Sequence, residues 1–177
     1  MNNFLTGKTV SINACAVGCA EKIALELKRF AKGSQVALLC VGTEKVKGDS
    51  RGPLVGSLVC RRALAHAFVY GRLESNVTAK NLESATAFIK EAHPRCKLLI
   101  VDAALGMPEQ VGTVQIVDGG LQPGTAANKN FSQIGDVGLL GVVNELSYEK
   151  DMLHIAKMNN VRVLANAIAA GIVKAFE

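Results

Sequence analysis

Gln35–Val41 reads QVALLCV, a run whose one polar side chain stands at its start. A continuous apolar run this short suits a strand covered on both faces. The residues before it are helical. Between Cys19 and Ala31, the apolar Ile23, Ala24, Leu27 and Phe30 recur at helix spacing, with Glu21, Lys22, Glu26, Lys28 and Arg29 on the outer face. Gly33 follows as a stop. The residues after it, 42–52, form a polar, glycine-bearing loop, and Pro53 then opens a helix where proline fits best. Leu54, Leu58 and Leu64 carry that helix toward His66.

The same alternation continues along the chain. Ala67–Gly71 (AFVYG) reads as a strand, and Asn81–His93 as an amphipathic helix closed by Pro94. Lys97–Val101 (KLLIV) is another buried strand and ends on Asp102. Gly112–Val117 and Gly138–Val143 are further strands, separated by the long irregular stretch Asp118–Gly135. Ser147–Phe176 reads as one or two helices broken near Asn159 and Asn160. There is no internal repeat and no linker, so residues 1–177 are expected to form a single α/β/α domain. The expected fold is an α/β, three-layer α/β/α sandwich around a mostly parallel (mixed) sheet of about five strands.

Composition narrows the function classes. Of 177 residues, 49% are apolar and 20% charged, which fits a soluble globular domain and excludes a disordered chain. The net charge of +5 comes from scattered basic residues, with Lys28-Arg29 and Arg61-Arg62 the tightest pairs. With no Trp and few other aromatics, a nucleic-acid stacking platform is not expected. Five cysteines without a CxxC pattern suit free thiols, most of them buried, in a reducing compartment. Cys15 and Cys19 could share a helix face, but no further metal ligand of the right type stands nearby. The first residues lack a basic segment followed by an apolar one, and no stretch is long and apolar enough to span a bilayer. A cytoplasmic location is expected.

Winding in both directions from Gln35–Val41 would make that strand and Lys97–Val101 neighbours where the strand order reverses. Ligands in such sheets bind just outside the carboxyl ends of the strands at that point. Asp49 in the loop leaving one strand and Asp102 at the end of the other would then share a crevice. Two close carboxylates repel, so one can hold a proton while the other accepts one from water. On that view, removing either charge leaves stability intact or raised. Asp49 also precedes a helix and could cap it instead. A divalent metal between the two is the less favoured alternative, and no cofactor is expected. Neither GxxxxGK[ST] nor GxGxxG occurs, and HExxH is absent, which excludes the usual nucleotide and zincin signatures. Gly119 and Gly120 allow a tight reversal or close approach of a substrate backbone. Gly48, Gly119, Gly120, Gln122 and Asn128 are the expected substrate contacts.

Cys40–Gly56, CVGTEKVKGDSRGPLVG, resembles the sporulation protein YyaC family and, more distantly, the germination protease of bacterial spores. The protease's Asp-x-x-Gly-Pro-Leu-Val segment is matched by Asp49 to Val55, and its strand ending in Asp-Ala by Leu98 to Ala103. A third segment is matched by Thr113–Gly120, Pro123-Gly124 and Asn128-Lys129, with Gln122 where the protease has a histidine. The resemblance implies a single endopeptidase-like domain over residues 1–177 with the phosphorylase/hydrolase-like fold of hydrogenase-maturation endopeptidases, and a catalytic pair of acidic residues, falling on Asp49 and Asp102. Those endopeptidases hold nickel with Glu, Asp and His, and no His aligns here. A protein or peptide substrate is implied, with small acid-soluble spore proteins the candidates, in the forespore or spore interior; no membrane or direct nucleic-acid partner is expected.

Overall fold

The computed structural model describes residues 8–62, 64–122, 133–147 and 151–177. The first element is a strand, β1 (Thr9–Asn13), which turns Ile12 into the core. It makes the sheet six-stranded rather than five. The helix α1 (Cys19–Ala31) has the expected bounds and buries Ile23, Ala24, Leu27 and Ala31. QVALLCV becomes β2 (Val36–Cys40), every residue of which is buried.

The polar loop leads to α2 (Arg51–Cys60), which buries residues on nearly every side, Arg51 among them. Pro53 is its third residue, still within the first turn where a missing N–H costs nothing. The helix stops at Cys60, so His66 lies in the loop before β3 (Ala67–Tyr70). α3 (Leu82–Ala92) follows, with His93 at its C-cap. β4 (Lys97–Gly106) runs on well past Val101, and β5 (Thr113–Asp118) and β6 (Val137–Glu145) complete the sheet. α4 (Met158–Phe176) is one helix; the break falls before it, and Asn159 and Asn160 lie in its first turn.

The strand order is β1-β5-β6-β4-β2-β3. β3, β2, β4 and β6 run parallel, while β5 is antiparallel to β6 and β1 to β5. The chain therefore leaves β2 toward one edge through α2 and returns through α3 to place β4 on the other side. That makes β2 and β4 the switch point. Alternation along the central strands builds two cores. Leu38, Cys40, Leu99, Val101 and Leu139 pack with residues of α1, α2 and α4. Ala37, Leu39, Leu98 and Ile100 pack with Leu82 and Ile89 of α3 on the opposite face. This is the three-layer arrangement expected from buried strands alternating with amphipathic helices. Among the described residues, no helix is long and apolar enough to cross a membrane.

The thiols differ from expectation in part. All five are free, but Cys40 alone is buried, Cys15 and Cys60 are exposed, and Cys19 and Cys96 are in between. Cys15 falls in the turn before α1 and Cys60 on the outer side of the last turn of α2, where their apolar neighbours in sequence do not cover them.

Candidate active site

β2 stops pairing with β4 where Cys40 faces Val101, and the Val41 N–H adds one more bond to the Val101 carbonyl at 2.8 Å. Asp102 is the next residue of β4. It lies inside that strand rather than at its end, because β6 goes on pairing past the point where β2 stops, setting Asp102 against Leu140. Its side chain is 5% exposed, and its Oδ1 accepts the N–H of Ala103 at 2.8 Å. Asp49 is half-buried in the loop after β2, with Oδ2 accepting the Thr43 N–H at 3.0 Å. It does not cap α2. The N-cap is Ser50, which makes no side-chain capping bond and donates its hydroxyl to the Lys47 carbonyl at 2.6 Å. Both carboxylates thus belong to the carboxyl end of the β2–β4 seam.

Arg51, the first residue of α2, stands at the same end of the seam, and nothing in the sequence reading singled it out. It is fully buried, and its Nε, Nη1 and Nη2 have no hydrogen-bond partner among the described residues. A charge so placed is costly unless other charges compensate it. Burial draws its pKa down to about 10, and Asp102, then Cys40, then Asp49, push it back up. The guanidinium stays a cation at neutral pH, held in the combined field of the two aspartates. Room for it comes from Gly141 of β6, where a Cβ would fall 2.1 Å from Nη1. The reciprocal effect reaches Cys40: burial pushes its thiol far up, with Arg51 opposing. The expected like-charge repulsion between the two aspartates is thus opposed by a buried cation, without a hydrogen bond from Arg51 to either carboxylate.

The other expected contacts divide between the two ends of the sheet. Gly48 lies beside Asp49 but is buried, its N–H committed to the Leu153 carbonyl at 2.8 Å. Gly119 and Gly120 turn the chain at the opposite end, where the Gly119 N–H meets the Asp136 carbonyl just before β6 begins. The reason is the antiparallel run of β5, which carries its carboxyl end away from those of β2 and β4. The chain then folds back, with Leu121 against Gly138 and the exposed Gln122 after it. Asn128 lies outside the described residues.

Among the described residues, no group of three or more His, Cys, Asp or Glu is arranged to hold a metal ion. The charge beside Asp49 and Asp102 is a guanidinium, which repels a divalent cation, so this pair does not fit a nickel site. His66 and His154 are exposed, and His93 is engaged with Tyr70 beside β3.

The three-layer α/β/α arrangement around a mixed sheet defines the fold class, and known proteins share that fold. The hydrogenase maturation protease HycI from Thermococcus kodakarensis KOD1 has this fold, with a TM-score of 0.54 at 15% identity over 85% of this chain and 97% of that one. The chain belongs to the family described as Protein of unknown function (DUF1256), whose model matches residues 13–171. It is also similar to the uncharacterized protein YyaC of Bacillus subtilis (strain 168), with 36% identity over 145 residues, 81% of this chain and 71% of the relative.

Proposed function

We propose that this protein is a sporulation-associated endopeptidase of the YyaC and germination-protease type, hydrolysing peptide bonds with water activated by Asp49 and Asp102. One observation carries the reading: both carboxylates stand at the carboxyl end of the β2–β4 seam, the switch point of the sheet, beside the fully buried Arg51. Asp49, the more exposed of the two, is the member that meets water and takes its proton. Asp102 lies deeper and, when it holds the proton of the pair, passes that proton to the group under attack while Asp49 keeps the one taken from water. Arg51 holds the pair together by offsetting the repulsion that would otherwise drive the two apart. The HycI fold is consistent with peptidase chemistry, and small acid-soluble spore proteins are the substrates proposed.

The test is incubation of wild type, Asp49→Asn and Asp102→Asn with these spore proteins, any cut being located by mass spectrometry. Wild type cleaves at defined bonds and both variants lose at least about a hundredfold in rate, the usual scale for a general acid or base. Cleavage undiminished in either variant overturns the assignment. A second reading, a catalytically inactive peptide- or metal-binding module, is favoured by the burial of Asp102 at 5% exposure. It predicts that wild type retains the spore protein in a pulldown without cutting it.

A further inference from the structure

Among the described residues, β3 ends the sheet on one side, with β2 as its only strand neighbour. The His66 carbonyl accepts the Val36 N–H at 2.9 Å, which sets the hydrogen-bonding phase of the pair. Residues 66, 68 and 70 therefore face β2, and Ala67 and Val69 direct their N–H and C=O groups outward. Exposed edges are commonly blunted by proline, a bulge or an inward-pointing charge, and Ala67–Tyr70 carries none of these. Instead the edge opens into a groove of about 370 Å³, lined by Cys60, Arg62, Leu64 and β3 itself. Phe68, 38% exposed, supplies an apolar surface, its ring stacked on His93 at 3.9 Å. His93 Nε2 lies 2.6 Å from the Tyr70 hydroxyl, so the floor of the groove is braced from the α3 side.

The rim is cationic. Arg62 lines the groove, and Arg72 reaches across to Cys60 with Nη1 3.7 Å from the sulfur. Both arginines are exposed, and among the described residues neither forms an ion pair. Among the described residues, no acidic side chain lines the groove. We infer that the β3 edge binds an extended acidic segment of a partner protein as an added strand, its backbone pairing with Ala67 and Val69 and its carboxylates meeting Arg62 and Arg72. Backbone pairing supplies the affinity in this mode, and the rim charges select the sequence. Binding here does not depend on hydrolysis at Asp49 and Asp102.

The test uses a fluorescein-labelled peptide of alternating glutamate and valine, with a lysine–valine peptide as the control. Polarisation reads binding, and amide hydrogen exchange reads its place. The acidic peptide binds and slows exchange at Ala67 and Val69, while the basic peptide does not. Arg62→Glu with Arg72→Glu, both at exposed positions, weakens binding by about tenfold or more. Ala67→Pro removes one outward N–H at a strand's first residue, where proline is tolerated, and also reduces binding. Equal binding by the charge-reversed variant, or unchanged exchange at Ala67 and Val69, overturns the proposal. So does protection of these amides without peptide in a self-associated form, which would make a second copy the occupant.

Discussion

Arg51 sets the energetics of the site at the scale of single residues. A buried cation facing carboxylates makes each of them structural as well as chemical, because removing one leaves the guanidinium less compensated. Asp102 acts on it more strongly than Asp49 does. Asp102→Asn is therefore expected to lower the unfolding free energy, by less than the about 3 kcal/mol that breaking a hydrogen-bonded buried pair costs, since no hydrogen bond joins it to Arg51. Asp49→Asn, at a half-buried position, costs less. This reverses the expectation from repulsion alone, under which either change would be neutral or stabilising. Urea titration of Asp102→Asn, Arg51→Met and the double variant checks it. The double variant should lose less than the two single losses combined, and an Asp102→Asn chain as stable as wild type would contradict the ordering. The significance of Arg51 was not legible in the sequence, where it reads as the last charge of a polar loop. One local signal was present: it stands directly before Gly52-Pro53-Leu54-Val55, an apolar helix opening with no outer face to receive it.

Among the elements, α2 is the one whose seating decides the geometry. Its first turn rests on the end of β2 so closely that a Cβ on Gly52 would fall 1.9 Å from the Val41 carbonyl oxygen. Backbone cannot yield there as a flexible side chain could. Gly52→Ala is expected to lower the melting temperature clearly and to shift Asp49 and Arg51 with the helix. Calorimetry with a cleavage assay measures both, and an alanine variant with wild-type stability and rate would count against this seating. Most element positions were readable because buried strands and amphipathic helices leave different periodicities: α1 has its expected bounds, and β2 and α3 differ by a residue at each end. The misses have physical causes. β4 is longer than its apolar run because β6 supplies a partner beyond β2, and no local pattern encodes that. β1 is a short edge strand with one residue fully turned inward, too little alternation to stand out. The direction of β5, which carries Gly119 and Gly120 away from Asp102, is a property of sheet pairing and not of the segment itself.

For the molecule as a whole, the two cores on either side of the sheet predict a graded accessibility of the thiols. Cys15 and Cys60 should react quickly with iodoacetamide in the native protein, and Cys19 and Cys96 more slowly. Cys40, buried with its thiol pushed far above the ordinary range, should react only when the chain unfolds. Mass spectrometry of native and denatured samples reads this directly, and native labelling of Cys40 would mean that the α2 face opens. The same layered arrangement brings Asp49 and Asp102, distant in sequence, to one end of the β2–β4 seam, and the claim that they work as one unit is the centre of the account. Its most direct test is the specific activity, kcat/KM, of Asp49→Asn, Asp102→Asn and the double variant on one cleaved spore protein. Groups acting together lose activity non-additively, so the double variant should be no slower than the slower single variant. Losses that multiply, or a single variant that retains the wild-type value, would contradict it.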